Sequence, residues 1–229
     1  MMKYPSILLG SLLSIGSASA ANVIVNGSFE NTTVAITPQA GTAWGDRAAA
    51  AGLTGWTLES NNGLALANGG TAPFHTGNGS NVPFQTPTDG NTFLTTNADA
   101  TSIFSQTING LSAGTVNVSF DLNRMLAAGS GTFTANVEVF DGNSDAATSL
   151  WSETVDVAAQ TQETWVNTAS GTFANSGSEL FVRVTLVDQV NGGQIGMDNL
   201  VINHTAVPEP SSAALLGLGG LALILRRRK

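Results

Sequence analysis

The chain has no cysteine among its 229 residues. No disulfide can staple its fold, and thiol catalysis and zinc–thiolate sites are excluded. Basic residues are also scarce. Five of the eight sit at the ends, as Lys3, Arg226, Arg227, Arg228 and Lys229, which leaves Arg47, Arg124 and Arg183 between Ala21 and Val207. Fifteen of the sixteen acids share that interval, so its formal charge is −12. Nucleic acid and anionic membrane both require clustered Lys or Arg, and this balance argues against either as a partner. Histidine is limited to His75 and His204, and neither G-x-S-x-G nor H-E-x-x-H occurs. The sequence therefore reads as non-catalytic, although a glycosidase needs only two carboxylates at a suitable separation.

Long apolar runs are confined to the two ends. At the N-terminus Lys3 precedes an apolar stretch from Ile7 to Ile15, followed by small residues Ala18 and Ala20 around Ser19. This is the pattern of a secretory signal with an A-x-A cleavage site, covering residues 1–20. At the C-terminus Pro208 and Pro210 stop incoming secondary structure, Ala213 to Leu225 is apolar, and Arg226, Arg227, Arg228 and Lys229 follow at once. As a helix at ~1.5 Å per residue, Ser211 to Leu225 covers ~22 Å, marginal for a ~30 Å hydrocarbon core. A plain single-span anchor and a removable label both remain open on length alone.

The order Val207-Pro208-Glu209-Pro210, apolar helix and arginine cluster resembles the PEP-CTERM sorting signal, here residues 206–229. The resemblance implies an exosortase as processing partner in a Gram-negative bacterium. It also implies transient insertion in the inner membrane, and delivery to the cell surface or an extracellular polysaccharide matrix.

Between the ends, residues 21–205 read as one domain built of strands. "TVNVSFDL" places Val116, Val118, Phe120 and Leu122 on one face and Asn117, Ser119 and Asp121 on the other, and "TFTANVEVF" repeats the alternation. Further short runs are separated by turn clusters such as "TPTDGN" and "DGNSD". The expected fold is all-β, an antiparallel β-sandwich of the jelly-roll kind. "DRAAAAG" reads as a helical turn within a loop.

The pieces "NVIVNGSFE", "GWT", "DGNTFL" and "IGMDNLVI", in that order, resemble the galactose-binding-like jelly rolls found among carbohydrate-binding modules. What the resemblance implies is a structural calcium held by an acid of the first strand and an acid of the last, here Glu30 and Asp198, with loop oxygens completing six to eight ligands. The alternative is that Glu30 is a solvated strand end and Asp198 caps a turn. A second calcium candidate, the loop from Asp141, lacks the glycine and the glutamate that an EF-hand needs.

Sugar binding requires an aromatic face and groups that meet hydroxyls. Trp44 beside Asp46 and Arg47 in "TAWGDR" is the leading candidate, with Phe74 and His75 second. Arg124 would clamp a ligand carboxylate or pair with a neighbouring acid. Trp56 in "GWT" reads as an inward anchor.

Overall fold

Alternation in the sequence becomes alternation in burial. In the computed structural model, the described residues are 19–33, 47–49, 52–61, 64–68, 86–96, 100–126, 131–169, 171–189 and 193–207, with 219, 220, 223, 224 and 226 in the tail. They belong to a sandwich, Ala20–Ala206, and to a separate unit of Met1–Ser19 with Val207–Lys229. Most of the N-terminal signal pattern, the Pro208–Glu209–Pro210 motif, Arg227 and Arg228 lie outside the described residues. Gly219, Gly220, Leu223, Ile224 and Arg226 have helical backbone. Among the described residues no helix is long and apolar enough to cross a membrane.

The sandwich strands are, in chain order, β1 (Ala21–Asn22), β2 (Arg47–Ala49), β3 (Thr57–Asn61), β4 (Ala65–Asn68), β5 (Thr92–Thr95), β6 (Ala100–Asn109), β7 (Gly114–Leu126), β8 (Phe133–Asp141), β9 (Thr148–Asp156), β10 (Trp165–Ala169), β11 (Phe173–Asn175), β12 (Glu179–Asp188) and β13 (Gln194–Ala206). One sheet of eight runs β10-β7-β13-β5-β4-β2, with β1 added on β13 and β11 on β7; the other runs β3-β6-β12-β8-β9. All these pairings are antiparallel. The expected all-β sandwich is what the chain forms.

β7 shows why. Val116, Val118, Phe120 and Leu122 are buried against the opposite sheet's Val137, Val139, Val182 and Val184 in one hydrophobic cluster. Phe29, Trp56 and Phe104 close one region of it, Trp56 and Phe104 edge to face with centroids 5.1 Å apart. The Trp56 indole is also tied down by a hydrogen bond to the Asn26 carbonyl, so the inward anchor expected from "GWT" is in place.

Two local readings change. The alanine-rich "DRAAAAG" does not give a helical turn at Arg47–Ala49, because these residues pair as an edge strand with Ala65, Leu66 and Ala67 of β4. The ladder supplies backbone partners that a lone turn cannot, and this outweighs the few tenths of a kcal/mol per residue by which alanine favours helix. The expected strand "NVIVN" shrinks to Ala21–Asn22, since the chain then turns at Asn26, which has φ 55°. Its Val23 amide still bonds to the Ile202 carbonyl.

Replacing Trp56 with alanine is expected to destabilise the sandwich by about 3–5 kcal/mol. Val25→Ala, at a side chain 55% exposed, is expected to change it by less than about 0.5 kcal/mol. Chemical denaturation of the two variants beside the parent checks both.

Candidate functional site

The three motif pieces "NGSFE", "TDGNT" and "MDNL" meet at one loop. The first piece is shaped by backbone contact. Gly27 lies so close to β13 that a Cβ there would collide with the Leu200 carbonyl oxygen, and the two residues are joined by a bond from the Leu200 amide to the Gly27 carbonyl. Phe29 then adopts φ 57°, a left-handed conformation that costs a bulky residue about 1 kcal/mol or more. Complete burial of its ring beside Trp56 and Phe104 offsets that cost. The following residue, Glu30, turns its carboxylate to the loop before β5.

The last piece is shaped by a bulge. β13 slips against β7 between Asp198 and Val201, with Asn199 at φ 49°. Asp198 is left fully buried. Its Oδ2 accepts from the Thr88 amide (2.7 Å), the Thr88 hydroxyl (3.0 Å) and the Asp89 amide (2.9 Å), while Oδ1 accepts from the Asn199 amide (2.7 Å). Glu30 holds the other end of the same loop. Its Oε1 accepts from the Asn91 amide (2.7 Å), the Thr92 amide (2.6 Å) and the Thr92 hydroxyl (2.8 Å). Between them Gly90, at φ 74°, leaves room that a Cβ would take from the Glu30 carboxylate. One carboxylate from each end of the domain thus brackets residues 88–92.

Electrostatics make this arrangement costly. Burial pushes the Asp198 carboxyl up from 3.8 to about 6, against the opposing pull of the hydrogen bonds from Asp89, Asn199 and Thr88. Arg183, Arg124 and His204 each have other partners than these two carboxylates. Arg183 pairs with Glu59 and Asp145, Arg124 donates to the Ala158 and Gln160 carbonyls at 2.7 and 3.3 Å, and His204 is bonded to the Ser112 carbonyl. Carboxylate oxygens are the ligands that a hard cation takes, and Glu30 and Asp198 bring two carboxylates to one loop. Among the described residues no three His, Cys, Asp or Glu side chains gather around one point, so backbone and amide oxygens would have to supply the remaining ligands.

Beside this brace lies the outward side of the eight-stranded sheet. The registers align Trp165, Asn123, Gly196, Thr95 and Ala65 in one row across five strands. Asn123 and Thr95 are fully buried in this row, and a Cβ at Gly196 would lie 3.0 Å from the Met125 sulfur and 3.2 Å from the Trp165 indole, so these two side chains cover it. Trp165 is partly exposed, meets Phe93 edge to face at 5.6 Å, and donates to the Thr86 carbonyl. The next row pairs Asp198 with Asp121, whose two oxygens accept from the Asn167 and Asn199 amides. Both carboxylates of this neighbouring pair are thus committed to protein donors. Gln194, at the start of β13, is fully buried with neither end of its amide bonded to protein.

Glu30 and Asp198 are therefore placed on one loop. Trp44, Asp46, Phe74 and His75 lie outside the described residues, and Arg47 opens β2 opposite Ala67. Arg124 points into the protein and holds the turn Val157–Ala159. Asp141, demoted as a calcium ligand, instead accepts from Ser176 and Gly177, and the Ser176 hydroxyl holds its carboxyl below the usual range. Sequence reasoning missed Trp165 as an outward residue, because its strand partner Asn123 and the bare Gly196 beneath it are far away in the chain.

The PEP-CTERM protein-sorting motif matches residues 206–229, so the chain carries that signal at its end. Solved structures share the sandwich. TmCBM61 in complex with beta-1,4-galactotriose is 14% identical, with a TM-score of 0.50 over 80% of this chain and 97% of that one. A cyclase from Fischerella sp. TAU is 14% identical, with a TM-score of 0.55 over 83% of this chain and 100% of that one. The likeness is one of fold. No curated protein matches the sequence.

In chelator, the raised Asp198 pKa makes its contribution to stability fully present below about pH 4 and lost as pH rises through about 6. The expected loss is up to about 3 kcal/mol. Asp198→Asn should flatten that part of a stability-versus-pH profile, and an unchanged profile would contradict the assignment.

Proposed function

We propose that the chain is an exported, non-catalytic polysaccharide-binding protein, delivered to the cell surface or extracellular matrix by exosortase processing of its tail. Residues 1–20 act as the signal peptide, cut after Ala20. The tail passes transiently through the inner membrane, and its recognition elements are Val207, Pro208, Glu209, Pro210, Arg226, Arg227 and Arg228.

The observation that carries the binding reading is Trp165, a partly exposed indole on the edge strand β10, with the exposed Asn167 two residues along the same face. An indole with flanking hydrogen-bonding groups is what the apolar face and hydroxyls of a pyranose require. The fold shared with TmCBM61, whose structure holds a galactotriose, supports the same reading. Trp44, Asp46, Arg47, Phe74 and His75 complete the ligand set. Arg124 serves the framework, since its guanidinium already holds two carbonyls.

Non-catalytic action is supported by Asp121, whose two oxygens are taken up by the side-chain amides of Asn167 and Asn199. Glu30 and Asp198 hold a structural calcium with help from loop oxygens. The ion offsets two anions and fixes residues 88–92, next to the strand that carries Phe93.

The mature domain, residues 21–207, is expected to co-sediment with bacterial polysaccharide in calcium. Trp165→Ala or Trp44→Ala should weaken binding by tenfold or more, taking about 1.4 kcal/mol or more per lost stacking contact. Absence of sedimentation with every polysaccharide tried would leave a structural matrix protein as the better account. Calcium should also raise the melting temperature of the parent and leave that of Glu30→Gln/Asp198→Asn unmoved.

A further inference from the structure

The sorting motif is joined to the sandwich without a spacer. β13 stays in its ladder through Ala206, which pairs with Gly114 of β7, and Val207, 58% exposed, is the one residue before Pro208. A peptidase that cuts beside the motif must take the preceding residues in extended form, and substrate chains are commonly held by strand addition to an open edge. Here those residues are already strand. On one side they are fixed to β7, where the His204 ring bonds to the Ser112 carbonyl and leaves no room for a Cβ on Gly114. On the other side they are covered by β1, in the register Ala21 to His204 and Asn22 to Asn203.

The two sides differ in strength. β7 and β13 pair along most of their length, whereas β1 has two exposed residues. β1 is held by the bond from the Val23 amide to the Ile202 carbonyl and by Asn22, whose Oδ1 accepts from the Ile24 amide at 3.2 Å and the Ile202 amide at 3.1 Å. Short exposed ladders open far more often than the sandwich unfolds. Peeling β1 would bare the β13 edge that runs directly into the motif, while β7 keeps the domain folded.

We propose that β1 is a removable cover over the strand edge on which the processing peptidase docks, so that its release from β13 limits removal of the tail. The cut is a hydrolysis: one water is consumed, a carboxylate is left on the domain and an amine on the released tail. The inference rests on the export reading, because β1 begins at the residue that signal cleavage exposes. Signal removal and tail removal then act on neighbouring strand ends, and the first product becomes the cover for the second reaction.

The test is a pulse-chase of the full chain in a bacterial host that carries an exosortase, with intact masses of the products. Asn22→Ala removes both side-chain bonds and is expected to speed tail loss about three- to tenfold. An eight-residue Gly/Ser insertion between Ala206 and Val207, outside the sandwich, should be processed fast whether or not Asn22 is present. Faster hydrogen exchange at Ile24 and Ile202 in Asn22→Ala, with an otherwise unchanged profile, would show that the cover alone has loosened. Equal tail-loss rates for the parent, Asn22→Ala and the insertion overturn the cover while leaving export standing. A product that retains residues 1–20 overturns the export reading and the cover with it.

Discussion

The pairing of β7 with β13 is the constraint on which the rest of this domain depends. β13 is the last strand, yet it lies inside the eight-stranded sheet, between β7 and both β5 and β1. One face of the pair supplies Val116, Val118, Phe120, Leu122, Ile195, Met197 and Ile202 to the core. The other supplies Asn123, Gly196, Asp121 and Asp198 to the outward side. Because side chains alternate, a slip of one residue would exchange these two sets, placing carboxylates in the core and valines in water. The apolar face therefore fixes the position of every polar group on the outer one.

The register is broken twice, between Gln194 and Ile195 and at the bulge between Asp198 and Val201, and the carboxylates gather at the bulge. Asn199 in a left-handed conformation lets Asp198 stay buried while the chain realigns at Val201. The strained Phe29 does the corresponding work on the first motif piece, sending its ring inward and Glu30 outward. Local strain at both positions is held in place by the packed core between the sheets. The outcome is a loop, residues 88–92, whose amides are fixed from both ends by carboxylates far apart in the chain. A cation at such a place would stabilise the domain as a disulfide does in a chain with cysteines, by joining distant segments.

The placement of the ends follows from the same strand. With β13 running to Ala206 and β1 laid along its end, Ala21 and the first residue of the sorting motif lie on adjacent strands. The row that starts at Trp165 crosses the same sheet through Asn123, Gly196 and Thr95, away from that end.

Much of this was fixed by residue order alone. Period-two alternation in β7, β8 and β12, with Gly, Asn and Asp between runs, suffices for an all-β sandwich, since an apolar stripe at that period can be buried only as one face of a sheet. The signal-like start, the Pro-Glu-Pro motif and the arginine cluster are linear signals read without folding, and the absence of cysteine, with no basic cluster between Ala21 and Val207, excludes chemistry at any geometry. Glu30 and Asp198 were legible as candidates from their place in the first and last motif pieces. Tertiary structure decided what pairing across long distances decides: that alanines 48 and 49 join an edge strand, that Arg124 turns inward to two carbonyls, and that Glu30 and Asp198 hold one loop. It also decided that Trp165 faces outward over Gly196. In a sandwich the neighbours of a residue lie mostly on other strands, tens of residues away, so local pattern fixes which face a side chain takes and only the sheet registers fix what it meets there.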